Sequence, residues 1–288
     1  MADKKVVLGI DTSNYTTSVA IVDIGGNLIA NLKRPLAVKS GERGLRQSDA
    51  LFAHTVNIPD IMSELRPYLL GTHICAVGVS DKPRNVEGSY MPCFLAGVAA
   101  AESIATTLGV PIFRFSHQCG HIMAVVYSSG REDLLSHSFA ALHISGGTTE
   151  LLSVLPSENG FLTEIVGGTR DLNAGQLIDR IGVYMGLSFP SGAHIETLAR
   201  EFTGRIPRKK ISSVGMKVNL SGIENQAVKL FDETGDKSLT SAFVLDSVER
   251  AITAMCESYE RLNGKSTFVF AGGVMSNSII KRALSDKF

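Results

Sequence analysis

The chain has 288 residues, 44% hydrophobic and 19% charged, with lysine plus arginine matching aspartate plus glutamate at 28 each. That length and composition exclude a disordered chain and give room for one large or two ordinary domains with a sizeable core. The zero balance argues against a protein that holds nucleic acid through a broad basic face of its own, though it leaves room for a local patch.

In chain order, Val6–Ile10, Thr17–Val22 and Leu28–Leu32 read as three short apolar strands. Asp11-Thr12-Ser13-Asn14 forms a polar turn between the first two, and residues 23–27 form a glycine hairpin. Residues 48–70 follow helical spacing through Leu51, Val56, Ile58, Ile61, Met62 and Leu65, with a break or restart expected at Pro59. Ile74–Val79 is a buried strand, 81–92 a loop, and Cys93–Leu108 an alanine-rich helix closed by Gly109 and Pro111. A strand at Ile112–Phe115 and a helix at Ser116–Tyr127 lead into a hairpin, Phe139–Ile144 and Leu151–Leu155. A strand at Thr163–Val166 passes through Gly167-Gly168-Thr169 into a helix at Leu172–Met185. Residues 188–193 are loop, Ala193–Glu201 is helix, and 204–222 is basic and loop-like. A long amphipathic helix, Leu239–Leu262, precedes a strand at Thr267–Phe270 and a last helix at Asn277–Leu284.

The two halves rhyme. VVLGIDTSNYTTSVAIVD and FAALHISGGTTELLSVL share one pattern, strand, polar turn, strand, and each leads on to alternating helices and strands. Such a repeat implies two α/β lobes, 1–111 and 112–288, about a cleft, with a hinge near Gly109–Phe115.

The turn Ser145-Gly146-Gly147-Thr148-Thr149 offers backbone N–H groups and hydroxyls with no side chain to bar a ligand, a setting for phosphate or carboxylate oxygens. An ordinary hairpin has the same sequence signature. A second glycine turn precedes the helix holding Gly175 and Asp179, and a third is AGGVMSN, 271–277, which opens a helix. Three glycine turns after strands favour a nucleotide-type ligand over coincidence. His117 and His121 fall four apart on one helix, so both imidazoles face one side. Such a pair suits a metal ion if a carboxylate or histidine joins it from elsewhere, and it also suits a structural pair. Asp179 reads either as a ligand contact or as a solvated helix residue, and the 188–193 segment either as a binding loop or as a plain one. The four scattered cysteines, Cys75, Cys93, Cys119 and Cys256, form no metal or redox spacing. No leader-like stretch and no run near the ~20 apolar residues of a membrane span is present, so a cytoplasmic protein is expected.

GIDTSNYTTSVAIVD (9–23), HQCGHIMA (117–124), HISGGTTELLSV (143–154) and AGGVMSN (271–277), with the stretches at 171–179 and SFPSGA, resemble in order and spacing the family that makes N6-threonylcarbamoyladenosine in tRNA, long labelled O-sialoglycoprotein endopeptidase. The resemblance implies the duplicated actin-like ATPase (ribonuclease H-like) fold. It further implies transfer of a threonylcarbamoyl group from threonylcarbamoyl-adenylate to N6 of the tRNA adenosine next to the anticodon. The implied cofactor is one divalent ion per chain, iron or zinc, on His117, His121 and a C-terminal aspartate. The positions implied for the adenylate-type ligand are His143, Ile144, Ser145, Gly146, Gly147, Asp179, Gly192 and Asn277. The implied partners are tRNA, a shorter actin-fold paralogue and a small ATPase. The chain departs from the family pattern at Tyr15 and Thr16, where acidic residues are usual, at Cys119 between the histidines, and at Thr148 in place of a histidine. It ends at Phe288, before the position of the metal-binding aspartate. These departures raise a second expectation, an inactive actin-fold paralogue that keeps the nucleotide site as a scaffold. A kinase of the same fold would need a catalytic carboxylate, for which Asp11 and Asp179 offer themselves.

Overall fold

The computed structural model describes residues 4–13, 15–37, 45–158 and 160–288. The chain divides into two compact units, Met1–Gly120 and His121–Phe288.

In the first unit, β1 (Lys4–Asp11), β2 (Thr16–Asp23) and β3 (Leu28–Pro35) form an antiparallel meander. Strands β4 (Thr72–Lys82) and β5 (Ile112–Ser116) then add in parallel beside β1, giving the order β3-β2-β1-β4-β5. Alternation along β1 buries Val6, Leu8 and Ile10, and along β2 Val19 and Ile21, as period-2 strands require. Ile61 and Leu65 of α1 (Gln47–Leu69) and Ala101 and Ala105 of α2 (Phe94–Leu108) close on that face. Gly109, at φ 65°, ends α2 in the left-handed conformation that glycine adopts at little cost.

One expectation in this unit needs correction. Helix α1 runs unbroken through Pro59 and Pro67, because the face formed by Ala50, His54, Ile61 and Leu65 is buried while Pro59 lies on the exposed side. The division between the two units lies at Gly120/His121. The cause is β5, whose ladder with β4 ties residues 112–116 into the first sheet. Asn14, read as part of the first polar turn, lies outside the described residues.

In the second unit, β6 (Phe139–Ile144), β7 (Thr149–Ser157) and β8 (Gly160–Thr169) form another antiparallel meander, and β11 (Phe268–Ala271) adds in parallel beside β6. The segment β3-β2-β1-β4 of the first sheet and β8-β7-β6-β11 of the second therefore share one topology, the duplication that the sequence rhyme implies. Beyond β8 lie two short strands, β9 (Ser212–Val214) at the edge and β10 (Lys217–Asn219) inside it. These occupy the stretch read as loop. Helices α4 (Ala174–Tyr184), α5 (Gly192–Glu201), α6 (Ser221–Thr234), α7 (Lys237–Asn263) and α8 (Ser278–Ser285) complete the unit. Leu142, Ile144, Leu151, Leu177, Val244 and Val248 belong to their shared core. The chain enters this unit along α3 (His117–Ser128), whose Ile122 and Val126 pack with Phe139, Leu152 and Val154. No helix among the described residues is long and apolar enough to cross a membrane.

Candidate functional site

In the second unit, β6 and β11 run parallel, so both deliver their C-terminal ends to one end of the sheet. Ser145–Thr148 turns there, closed by the Ser145 N–H donating to the Thr148 carbonyl at 2.7 Å. Gly146 and Gly147 are exposed at its tip.

Two other segments hold this turn. The N-terminus of α4 approaches from one side: Gly175 N–H donates to the Ser145 carbonyl at 3.2 Å, and Ala174 N–H to Thr149 Oγ1 at 2.9 Å. A Cβ on Gly175 would stand 2.7 Å from Gly146 N and 2.8 Å from its Cα, so only glycine lets helix and turn come this close. Gly272, at φ 101°, approaches from the β11 side, where a Cβ would meet the Ile144 carbonyl oxygen at 2.4 Å. Asn173 caps α4 in a reciprocal box with Gln176, which leaves the helix start in a fixed orientation.

His143 and Ile144 are the last residues of β6 before the turn and are buried. The His143 ring lies 4.9 Å from that of His121 on α3. Asp179, one to two turns into α4, accepts a hydrogen bond from Ser191 N–H at 2.8 Å and so fixes the loop that opens α5 at Gly192. Gly192 itself has open space where a Cβ would stand. Asn277 is buried, and its Oδ1 caps α8 by accepting from Ile279 and Ile280 N–H, both at 3.1 Å. The structure thus places His143–Gly147 with Gly175 and Gly272 at one sheet end. Within it, Asp179 and Asn277 act as braces.

The first unit repeats the motif at the end of β1. Gly97 of α2 sits so close to Thr12 that a Cβ would meet Oγ1 at 2.7 Å, and Thr12 Oγ1 donates to the Cys93 carbonyl at 3.0 Å. Here the turn carries a carboxylate. Asp11 Oδ1 accepts from Ser13 N–H at 2.7 Å, and Oδ2 pairs with His117 Nδ1 at 2.8 Å. Burial pushes the Asp11 carboxyl up, but the His117 hydrogen bond and charge together with the Ser13 bonds outweigh it and hold the group well below the usual carboxylate range. This Asp11–His117 pair is a site feature that the sequence reading missed, since 106 residues separate the partners. The available signal was a lone aspartate at a strand end before a polar turn.

His117 and His121 both lie on α3, four residues apart. Among the described residues no three His, Cys, Asp or Glu side chains gather around one point. Imidazole is a common metal ligand, and that of His117 is oriented through Nδ1 by a carboxylate, as ligating histidines are. Of the departures from the family pattern, Tyr15 is 46% exposed, and Cys119 N–H donates to Ser116 Oγ at 3.2 Å.

Comparison with known proteins bears on the whole chain. Among solved structures, full-length HypF in its phosphate- and nucleotide-bound form matches all of this chain at a TM-score of 0.65 and 12% identity, and this chain spans 51% of it. Component A of the (R)-2-hydroxyglutaryl-CoA dehydratase of Acidaminococcus fermentans matches 98% of this chain and 88% of its own at a TM-score of 0.54 and 14% identity. These likenesses show the fold alone, the duplicated α/β actin-like type. In sequence, the tRNA N6-adenosine threonylcarbamoyltransferase of Streptococcus thermophilus is 30% identical over 100% of this chain and 85% of its own length. That of Enterococcus faecalis is 28% identical over 98% and 81%. The family described as TsaD, tRNA N6-adenosine threonylcarbamoyltransferase, matches residues 49–288, and the chain belongs to that family.

Proposed function

We propose that this chain transfers the threonylcarbamoyl group of threonylcarbamoyl-adenylate to N6 of the tRNA adenosine next to the anticodon. The observation that carries the reading is the turn Ser145–Gly147, held between Gly175 and Gly272 at distances that exclude any side chain. The tip of this turn, exposed at Gly146 and Gly147, has no side chain to bar a ligand, and the α4 N-terminus packed behind it favours an anion such as the adenylate phosphate through the helix dipole. Asp179 and Asn277 keep the Gly192 loop and the 272–277 segment in place around it.

In the reaction, the adenosine amine attacks the carbamoyl carbon. A carbon–nitrogen bond forms, the bond from that carbon to the phosphate oxygen breaks, and AMP leaves as the amine gives up a proton. N–H groups that hold the phosphate also stabilise the charge it gains on leaving. Asp11 pairs with His117 through Nδ1, which fixes the orientation of the ring. His117 and His121 are the residues that would hold an iron or zinc ion, and such an ion supplies Lewis-acid polarisation of the acyl oxygen. The shorter actin-fold paralogue and the small ATPase are the proposed partners, acting in the cytoplasm.

The test is nucleoside analysis by mass spectrometry of an unmodified tRNA transcript incubated with the chain, its proposed partners and threonylcarbamoyl-adenylate. Threonylcarbamoyladenosine should form, and His117→Ala should lower both its rate, by about 10²-fold or more, and the bound metal. No product and no metal would refute the transferase reading. Retained AMP binding without product would make the chain the scaffold of the second reading.

A further inference from the structure

We propose that the strip Arg205–Lys217 of the second unit docks the phosphate backbone of the tRNA, a proposal that rests on the transferase reading. Between Phe202 and Leu220 the chain carries Arg205, Arg208, Lys209, Lys210 and Lys217 and no aspartate or glutamate. In a molecule of zero net charge this is a local excess of five cations, and all five are exposed. Arg208 pairs with Asp246 at 3.3 Å. Among the described residues, Arg205, Lys209, Lys210 and Lys217 have no ion-pair partner.

The strip is anchored. Ile206, Ile211 and Met216 pack against the core of the unit, and Val218 and Leu220 are fully buried. Apolar residues therefore point inward while the cations between them face solvent. The C-terminal end of the strip is tied to the residue before Leu172: Asp171 accepts from Leu220 N–H at 2.8 Å, Asn219 Nδ2 at 3.1 Å and Ser221 Oγ at 2.5 Å.

Its position follows from register. Lys217 pairs with Gly168, and Gly168 pairs with Glu150, the second residue after Thr148. With neighbouring strands about 4.8 Å apart, the Lys217 backbone is roughly 10 Å from Glu150, at the sheet end that holds the Ser145–Gly147 turn. A small adenylate does not need five cations spread along an extended edge. A polyanion that must present one base at the turn does, because each phosphate contact fixes its register without reading sequence.

The experiment compares the triple variant Arg205→Gln/Lys209→Gln/Lys210→Gln with a charge-matched control on helices of the same unit, Lys229→Gln/Lys237→Gln/Lys281→Gln. Fluorescence anisotropy of an unmodified, labelled tRNA transcript is titrated from 50 to 200 mM salt. Wild type should bind with a steep salt dependence. The strip variant should lose about 10-fold or more in affinity and about 2–3 in the slope of log K against log salt, while the control keeps both and all three proteins bind AMP and melt alike. Equal losses in both triples, unchanged RNA binding in the strip variant, or no RNA binding by wild type would overturn the proposal. If the slope falls as expected while wild type makes no modified adenosine, the strip stands and the transferase reading fails.

Discussion

Replacing Gly175 by alanine tests the geometry of the second-unit turn directly. In an ordinary helix this change is favourable by about 0.5–1 kcal/mol, because alanine loses less backbone freedom on folding. At Gly175 the new Cβ would lie 2.7 Å from Gly146 N, whereas ordinary contact begins near 3.4 Å, so turn and helix must separate by about 0.7 Å. The atoms in the way are backbone and cannot swing aside as a side-chain tip would. Such overpacking costs about 1–3 kcal/mol, which outweighs the helix gain by up to about 2 kcal/mol and so lowers Tm by up to about 8 °C in a unit of this size. A displacement approaching 1 Å at a binding turn also costs up to about 10²-fold in function. Gly222 in α6 supplies the internal reference, since a Cβ there meets nothing within 4 Å. Gly222→Ala should raise Tm slightly and leave nucleotide affinity unchanged. Calorimetric melts, with AMP titrations of both variants, give the answer. If Gly175→Ala is as stabilising as Gly222→Ala and binds AMP as wild type does, the turn is no tightly held ligand cradle.

Other expectations follow from single hydrogen bonds. Asp179→Ala removes the acceptor for Ser191 N–H and should cost about 1–2 kcal/mol in urea unfolding, with Asp179→Asn, which keeps an acceptor, costing less. Asn277→Ala uncaps α8 and should cost about 1 kcal/mol, read in the same assay. Burial pushes the Asp171 carboxyl up, but hydrogen bonds from Ser221, Leu220, Leu172 and Asn219 outweigh it and hold it well below the usual range. Its folded form therefore binds a proton less readily than its unfolded form. The stability this gives is present above about pH 4, the ordinary carboxylate value, and is lost as pH falls toward the folded value. Urea midpoints measured from pH 5 to 2.5 should fall less steeply in Asp171→Asn than in wild type; parallel curves would contradict the assignment.

How much of this was legible beforehand varies with the range of the interaction responsible. Strands β1, β2, β6 and β7 were plain because alternation and turn residues are local signals, and the repeated meander could be seen from two such stretches side by side. Pro59 misled because the proline penalty is local, while the burial of Ile61 and Leu65 that keeps α1 whole is not. Strands β9 and β10 hid behind charge: Lys217 suggests loop, yet Val218 is drawn into the core by pairing with β8. Helix α6 had a usable signal in Ile223, Ala227, Leu230 and Phe231 at helical spacing, masked by the basic stretch just before it.

At the site, the glycines were visible but their partners were not. Gly175 announces that something comes close, and only the fold says that it is Gly146 rather than a ligand alone. The same holds for Gly97 and Thr12 in the first unit. Set side by side, the two copies have kept the close approach of helix to turn and changed what the turn offers. The first turn bears Asp11, a carboxylate held charged by His117, and so accepts hydrogen bonds and attracts cations. The second bears Gly146 and Gly147, exposed and with no side chain beyond hydrogen, against the N-terminus of α4, whose dipole favours anions.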